Sequence, residues 1–474
     1  MRQLSLVVVL VAGLALPAGL YAEEYVVKLN PPTMVYGAAT DILSSSFGRV
    51  GLRPLRELRN LPGTVVVEMP PETARLLSST GYEVEAIPLR RAADSVPWSL
   101  DRENQRTLPL DGDDSHPYSG QGVTIFVLDT GIIRNTVEFG DRLVGGTDYL
   151  PDAKGIYESC GITYTHATGV ASNAAGSLFG VAPGASIYLM RIIRCDGSVW
   201  GPAEMSALDD LITWRKSNPT AHAVVNMSYA GNGHFTTEEA LLKMLSDLSV
   251  PLVAAAANDD ADTCAYGPAG YPNVIAVGAT NINDEKAKFS NWGSCVALFA
   301  PGDSVPSDFG DGSKCCWFGF GTSFSSPAVA GEIALLYEQM PDLSLSEVRS
   351  VLLANADHGA LKGDLGTGSP NLFLYTGGVE EEVTKLIPRW FPSEHRFTIQ
   401  VGISLNGNGT PFDHALLFRG LAREGHCQGA PFATVHLNQG NGIASISGFS
   451  RAPANVCLTT RAGTVYQHFV RTLP

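Results

Sequence analysis

Four short runs of nearly unbroken apolar residues, Val123 to Leu128, Ile187 to Met190, Ala223 to Asn226 and Pro251 to Ala256, constrain this chain more than any other feature. A strand with one face in water alternates polar and apolar residues, whereas a strand covered on both faces does not. Helical stretches lie between the runs, from Pro202 to Lys216 and from Thr236 to Leu248, the second opening with Thr236 and Glu239 at capping-box spacing. Another helix is predicted from about Thr322 to Gln339, stopped by Pro341. Buried strands alternating with helices give an α/β fold, a parallel sheet with helices on both faces, because parallel neighbours need crossovers.

This pattern starts near Gly122, and the chain on either side has a different character. Arg2 precedes an apolar stretch from Leu4 to Leu16, Pro17 breaks it, and small Ala22 stands before Glu23 and Glu24. The stretch is too short to span a bilayer and reads as a secretory signal peptide. Tyr25 to Leu29, Thr64 to Met69 and Tyr82 to Ile87 read as strands and Thr73 to Ser79 as a short helix, a small α+β module. Leu89 to Asp94 is charged and turn-prone, an exposed and cleavable linker. Beyond Thr376 come an acidic stretch, Glu380 to Glu382, and short β-type runs at Phe397 to Val401, Ala433 to Leu437 and Gly442 to Ile446 among Gly, Asn and Pro. The division expected is signal peptide 1–22, α+β module 23–94, α/β domain 95–376 and a β-rich, sandwich-like domain 377–474.

The net charge of −15 argues against nucleic acid as a partner, since phosphate binding needs concentrated Lys and Arg. No later segment is apolar for long enough to cross a membrane. The eight cysteines include no CxxC pair, so in a secreted chain they read as disulfide partners rather than zinc ligands, with Cys427 and Cys457 the staple of the last domain.

Peptide hydrolysis by a serine needs a hydroxyl nucleophile, an imidazole to take its proton, a carboxylate to hold the imidazole, and donors for the oxyanion. In open α/β sheets such groups gather beyond the carboxyl ends of the strands. Asp129 directly follows the run Val123 to Leu128, and Thr130-Gly131 turns the chain there. His166 precedes Ala167-Thr168-Gly169-Val170-Ala171, residues small enough for a helix to pack tightly. Ser323 stands where Gly319-Phe320-Gly321 gives way to a helix of small residues, whose first turn offers free N–H groups. Asn258 follows the run ending at Ala256 by one residue. Each alone has a plainer reading: a turn aspartate, a structural histidine, a helix-capping serine. The combination is far more specific.

The order Asp, His, Asn, Ser and the strings around it resemble the subtilisin superfamily. Val127-Leu128-Asp129-Thr130-Gly131-Ile132 is similar to the family's aspartate motif and His166-Ala167-Thr168-Gly169-Val170-Ala171 to its histidine motif. Gly180-Val181-Ala182-Pro183-Gly184-Ala185, Asn226-Met227-Ser228 and Gly321-Thr322-Ser323-Phe324-Ser325-Ser326-Pro327 resemble further family segments. The resemblance spans about residues 95 to 375 and is nearest the proteinase K and aqualysin branch. It implies a secreted, extracellular serine endopeptidase with Asp129, His166 and Ser323 as triad and Asn258 as oxyanion donor. Substrate protein would bind extended along Ser228, Tyr229, Ala230 and Gly231 and the segment Ser198 to Gly201, with Ala255, Ala256 and Ala257 lining an apolar primary pocket. The resemblance also implies a monomer, an inhibitory propeptide at 23–94, and disulfides Cys160–Cys195 and Cys264–Cys295.

No cofactor is needed for such chemistry, and structural calcium is left open, because an aspartate of the branch's calcium site aligns with Ala297. Further departures are Ala167 and Ala257 where the family usually has Gly, Ala230 for another Gly, and Gly169 for a second His. Cys315-Cys316 has no family counterpart. Two other classes compete: a binding protein on a catalytically impaired scaffold, which would need none of the four polar groups, and an esterase, disfavoured because Ser323 is not in a G-x-S-x-G elbow.

Overall fold

The computed structural model describes residues 96–134, 138–158, 165–309 and 317–379, together with shorter segments, mostly strands, before and after them. Two compact units, Met1–Ala92 and Ala93–Pro474, divide the chain.

In the first unit β1 (Glu23–Lys28), β2 (Arg53–Glu57), β3 (Thr64–Met69) and β4 (Glu83–Ala86) form an antiparallel sheet in the order β2-β3-β1-β4. Alternate residues of β3, Val65, Val67 and Met69, turn inward onto Val27, Leu52 and Leu77. Residues 1–22, most of the helix expected at 73–79 and the linker 89–94 lie outside the described residues.

The second unit opens with α1 (Trp98–Glu103) and is built on a nine-stranded sheet. Its strands begin with β5 (Val123–Asp129), β6 (Leu143–Asp148), β7 (Ser186–Arg191) and β8 (His222–Met227). A short antiparallel pair, β9 (Gly231–Asn232) with β11 (Tyr266–Gly267), stands apart from β10 (Leu252–Ala255), β12 (Ile275–Thr280) and β13 (Val296–Pro301), which continue the sheet. After the hairpin of β14 (Asp303–Ser307) and β15 (Trp317–Phe320), β16 (Asp357–His358) and β17 (Leu372–Phe373) close one edge. The order is β16-β17-β13-β12-β10-β8-β5-β7-β6, parallel except between β16 and β17.

Helices cover both faces: α2 (His166–Ala175) and α5 (Thr322–Gln339) on one, α3 (Gly201–Ser217) and α4 (Thr236–Asp247) on the other. The pleat of β5 explains the split. Ile125 and Val127 pack with Ile187, Val224, Val170 and Ile333, while Phe126 and Leu128 face Leu208, Leu211, Leu242 and Leu245. Each such buried aliphatic side chain contributes about 1.5–3 kcal/mol. The small residues around His166 do what their size suggested, since α5 crosses α2 closely. A Cβ on Gly331 would lie 2.7 Å from Val181 Cβ and 2.9 Å from the Ala174 carbonyl.

Helix α4 corrects one expectation. Thr236 is its first residue rather than its cap; Phe235 holds the cap position and no side-chain cap bond forms. The Phe235 N–H bonds Tyr271 Oη at 2.8 Å. A true capping box instead opens α6 (Leu345–Asn355), between Ser344 and Glu347.

Beyond the sheet the chain is antiparallel. β18 (Glu381–Phe391), β19 (Arg396–Leu405), β20 (His414–Arg419), β21 (Ala433–His436), β22 (Asn441–Ser447), β23 (Asn455–Thr459) and β24 (Val465–Phe469) form sheets β18-β19-β22 and β21-β20-β23-β24. Of the acidic stretch, Glu381 and Glu382 are the first residues of β18, and Glu380 lies outside the described residues. Cys264 and Cys295 are bridged, 31 residues apart. Closing a loop of that length stabilises by about 3–4 kcal/mol. Cys195 is also disulfide-bonded. Cys160, Cys315, Cys316 and Cys427 lie outside the described residues, as does the side chain of Cys457.

Candidate active site

Neighbouring strands β5 and β8 lead to opposite sides of the sheet, β5 to β6 and β8 to β10, so a crevice opens beyond their carboxyl ends. Asp129 is the last residue of β5 and is fully buried. Its Oδ1 accepts from the Thr130 N–H at 2.6 Å, and both carboxylate oxygens lie 2.9 Å from His166 Nδ1. Gly131 is required next to it, because a Cβ there would meet the Glu158 carbonyl oxygen at 2.0 Å.

His166 is the first residue of α2, whose N-cap Thr165 accepts from the Thr168 N–H at 3.3 Å. Thr130 Oγ1 accepts from the Ala167 N–H at 3.0 Å, tying this first turn to the end of β5. Burial of the imidazole opposes its charging, but the Asp129 charge and hydrogen bond outweigh that and raise the His166 pKa above its ordinary 6.5. The ring stands edge-on to Phe324 at 5.6 Å. Phe324 and Phe309 fill the space over Gly169, where a Cβ would lie 2.8 Å from Phe309 Cε1. A second histidine there has no room.

Ser323 is the second residue of α5. Its hydroxyl donates to the Ser228 carbonyl at 3.1 Å. Pro327, four residues on, has no N–H for the Ser323 carbonyl, and the Ser228 hydroxyl donates to that carbonyl instead, at 2.9 Å. Asn226 Nδ2 donates to Ser228 Oγ at 2.9 Å, and Ser326 Oγ lies 3.0 Å from it. This buried set fastens the start of α5 to the end of β8.

Asn258 Oδ1 accepts from the Thr322 N–H at 2.8 Å and from Thr322 Oγ1 at 3.1 Å. The acceptor side is thus occupied, and Nδ2 is left as the donor beside Gly321, whose φ of +125° and lack of Cβ keep the approach open. The residue before Asn258, Ala257, sits at φ 86°, a region costly for a side chain bearing Cβ. The Asn291 N–H holds the Ala257 carbonyl at 3.0 Å, and Asn291 Oδ1 accepts from Asp259 and Ala261, fixing the loop. Ala257→Gly is expected to relieve about 1 kcal/mol of strain and raise Tm by about 2–4 °C. Thermal unfolding of the inhibited variant checks this, and a lower Tm would place the strain elsewhere.

His166, Ser228, Tyr229, Ala230, Gly231, Asn258 and Ser323 line one cleft of about 750 Å³. A smaller recess of about 200 Å³ beside Ser323 is bounded by Tyr229, Ala230, Ala255, Ala257, Asn258, Asp259 and Thr322. Ala256, expected in its wall, faces the other way. Successive strand residues alternate, and Ala256 packs with Val296, Phe299, Leu361 and Phe373. Ser198 and Val199 line the cleft, but Trp200 caps α3 and lies against the core instead. Ala297, buried in β13, offers no side-chain oxygen, so this position does not fit a calcium ligand.

A profile described as "Subtilase family" matches residues 120–373. The chain belongs to the subtilase family. It is 37% identical over 320 residues to an extracellular serine proteinase of Thermus sp. (strain Rt41A), which covers 66% of this chain and 75% of that protein. It is 36% identical to the alkaline serine exoprotease A of Vibrio alginolyticus, covering 59% of this chain and 50% of that one. Among solved structures, a cold adapted subtilisin-like serine proteinase superposes with a TM-score of 0.54 at 36% identity, covering 60% of this chain and 98% of the other. The protein is thus a serine proteinase, a hydrolase acting on protein, with the parallel sheet and helices of the subtilisin fold. Among the described residues of this subtilase, no helix is long and apolar enough to cross a membrane.

The motifs contain Thr130, Asn226 and Ser326 without revealing what they bond, and they omit Glu204 and Glu238 altogether. Thr130, Asn226 and Ser326 bond the groups around the chemistry, and Glu204 and Glu238 also line the subtilase cleft. Glu204 and Glu238 were invisible because both stand in the first turns of helices, where acidic residues are ordinary.

Proposed function

We propose that this subtilase is an extracellular endopeptidase, made as a precursor whose residues 23–94 inhibit it until they are cut away, and acting as a monomer. Ser323 Oγ leaves the Ser228 carbonyl, gives its proton to His166 Nε2 and attacks the scissile carbonyl. His166 then protonates the leaving amine and activates water to hydrolyse the acyl-enzyme. Asp129 fixes the imidazole tautomer and stabilises its cation. Asn258 Nδ2 and the backbone N–H of Ser323 receive the oxyanion, at the positive end of α5.

The observation that supports this most directly is the opening of His166, Asn258 and Ser323 into one cleft, with Asp129 buried behind His166 at 2.9 Å. Substrate adds as a strand along Ser228 to Gly231, where backbone groups give affinity without sequence preference. The recess walled by Ala230, Ala255 and Ala257 takes the side chain on the acyl side of the scissile bond. The three alanines in its wall favour apolar or aromatic occupants. A peptide library digested by the purified enzyme tests this. Cleavage chiefly after Leu, Phe, Tyr or Met is expected, and cleavage chiefly after Lys, Arg or Glu would overturn it.

A further inference from the structure

The cleft that holds Ser323 and His166 runs on to a second set of polar side chains with no part in peptide hydrolysis. Glu204, in the first turn of α3, and Glu238, in the first turn of α4, both line it, and they are only 8% and 7% exposed. The Tyr229 hydroxyl donates to Glu204 Oε1 at 2.7 Å, the Tyr271 hydroxyl donates to Glu238 Oε2 at 2.7 Å, and the two carboxyls bond each other. No Lys or Arg pairs with either among the described residues. Gly267 and Gly233 on the same wall add no bulk, and a Cβ on Gly267 would lie 3.2 Å from Glu238 Oε2.

A pair of carboxyls nine-tenths buried with no basic partner is costly when both are ionised, so it holds a proton or takes a cation from outside. Here the cleft leads from the pair to the nucleophile past Ser228 to Gly231, the path along which the extended substrate was proposed to lie. We propose that Glu204 and Glu238 form a second recognition pocket of the protease, one that takes the cationic side chain of an Arg or Lys on the acyl side of the scissile bond, at a distance from the apolar primary recess. The inference rests on that reading of substrate alignment. A purely structural role, a carboxyl–carboxylate tether between α3 and α4, is the competing explanation.

Titration separates the two. Burial first, then the Glu238 charge and the hydrogen bond with it, push the Glu204 pKa up to about 8. As pH rises through that value the pocket gains negative charge and its preference for a cation grows. Tyr229, Tyr271, His234 and Glu239 are the other titratable groups facing the pair.

The test uses mature enzyme and peptide substrates with one fixed residue at the scissile bond, carrying Arg or its uncharged isostere citrulline at each acyl-side position in turn. Wild type should show a kcat/KM ratio of Arg to citrulline of at least about tenfold at one position remote from the scissile bond. That ratio should rise between pH 7 and pH 9, and taking the ratio cancels the His166 titration. In Glu204→Gln the pH dependence should vanish, and in Glu204→Gln/Glu238→Gln the ratio should fall toward one. Ratios near one at every position in wild type, or a ratio unchanged in the double variant while its Tm falls, would overturn the pocket in favour of the tether. Efficient cleavage with no Arg preference would sink this inference alone. Absence of any Ser323-dependent cleavage would sink the functional reading beneath it.

Discussion

Ser323→Ala lowers kcat on casein or a fluorogenic peptide by about 10⁶-fold, the size of loss that removing the nucleophile has in subtilisin itself. Losing this one oxygen removes the acyl-enzyme route, so His166 and Asp129 are left with nothing to deprotonate. What survives, about 10³–10⁴-fold over uncatalysed hydrolysis, comes from Asn258, the α5 N-terminus and substrate alignment. Peptide affinity should change little, because the segment that pairs with substrate keeps its other tie to α5, the Ser228 hydroxyl on the Ser323 carbonyl. The variant should also accumulate uncut precursor, visible by intact mass. Turnover within about tenfold of wild type would mean that another nucleophile acts, and would remove Ser323 from its proposed role.

Asp129→Asn should cost about 10⁴-fold in kcat, because an amide in place of the carboxylate favours the wrong imidazole tautomer. The sign of its pH effect follows from the same contact. Only neutral His166 accepts the Ser323 proton, so kcat/KM rises with pH through the His166 pKa, which Asp129 holds above 6.5. In Asp129→Asn the raising charge is gone while burial still disfavours the imidazolium, so the acid limb moves to lower pH. A pH–rate profile from pH 5 to 9 reads both effects. An unshifted limb with normal turnover would show that the 2.9 Å contact is structural only.

The parallel sheet was legible because buried strands cannot hide their apolar runs. Val123 to Leu128 became β5, one residue longer at Asp129, and Thr322 to Gln339 became α5 with the expected bounds. Strand β6, with Gly145 and Gly146 in its middle, left no such run, and β16 and β17, with two residues each, are too short for any period to register. At the site, the residues that carry chemistry stood in distinctive strings, and Thr130, Asn226 and Ser326 lay in the same strings with nothing to show the bonds they make. Ala256 was misplaced because a run of four alanines, Ala254 to Ala257, says nothing about which of them faces a cavity. The strain at Ala257 was partly readable, since the family usually has Gly there, but the backbone angle that gives the difference its meaning belongs to the folded loop. The pairing of Glu204 with Glu238, 34 residues apart in the chain, depends on two helices meeting at one wall, which no local pattern encodes.

The Ser228–Ser323 linkage has a mechanical corollary. One hydroxyl of the peptide-pairing segment carries the nucleophile's own carbonyl, and the carbonyl of that segment carries the nucleophile's hydroxyl. The edge on which a polypeptide is aligned and the atom that attacks it therefore shift as a single body. Registration of the incoming chain is felt directly at the reacting oxygen, so disturbances along 228–231 should surface as slower turnover and not merely as weaker association.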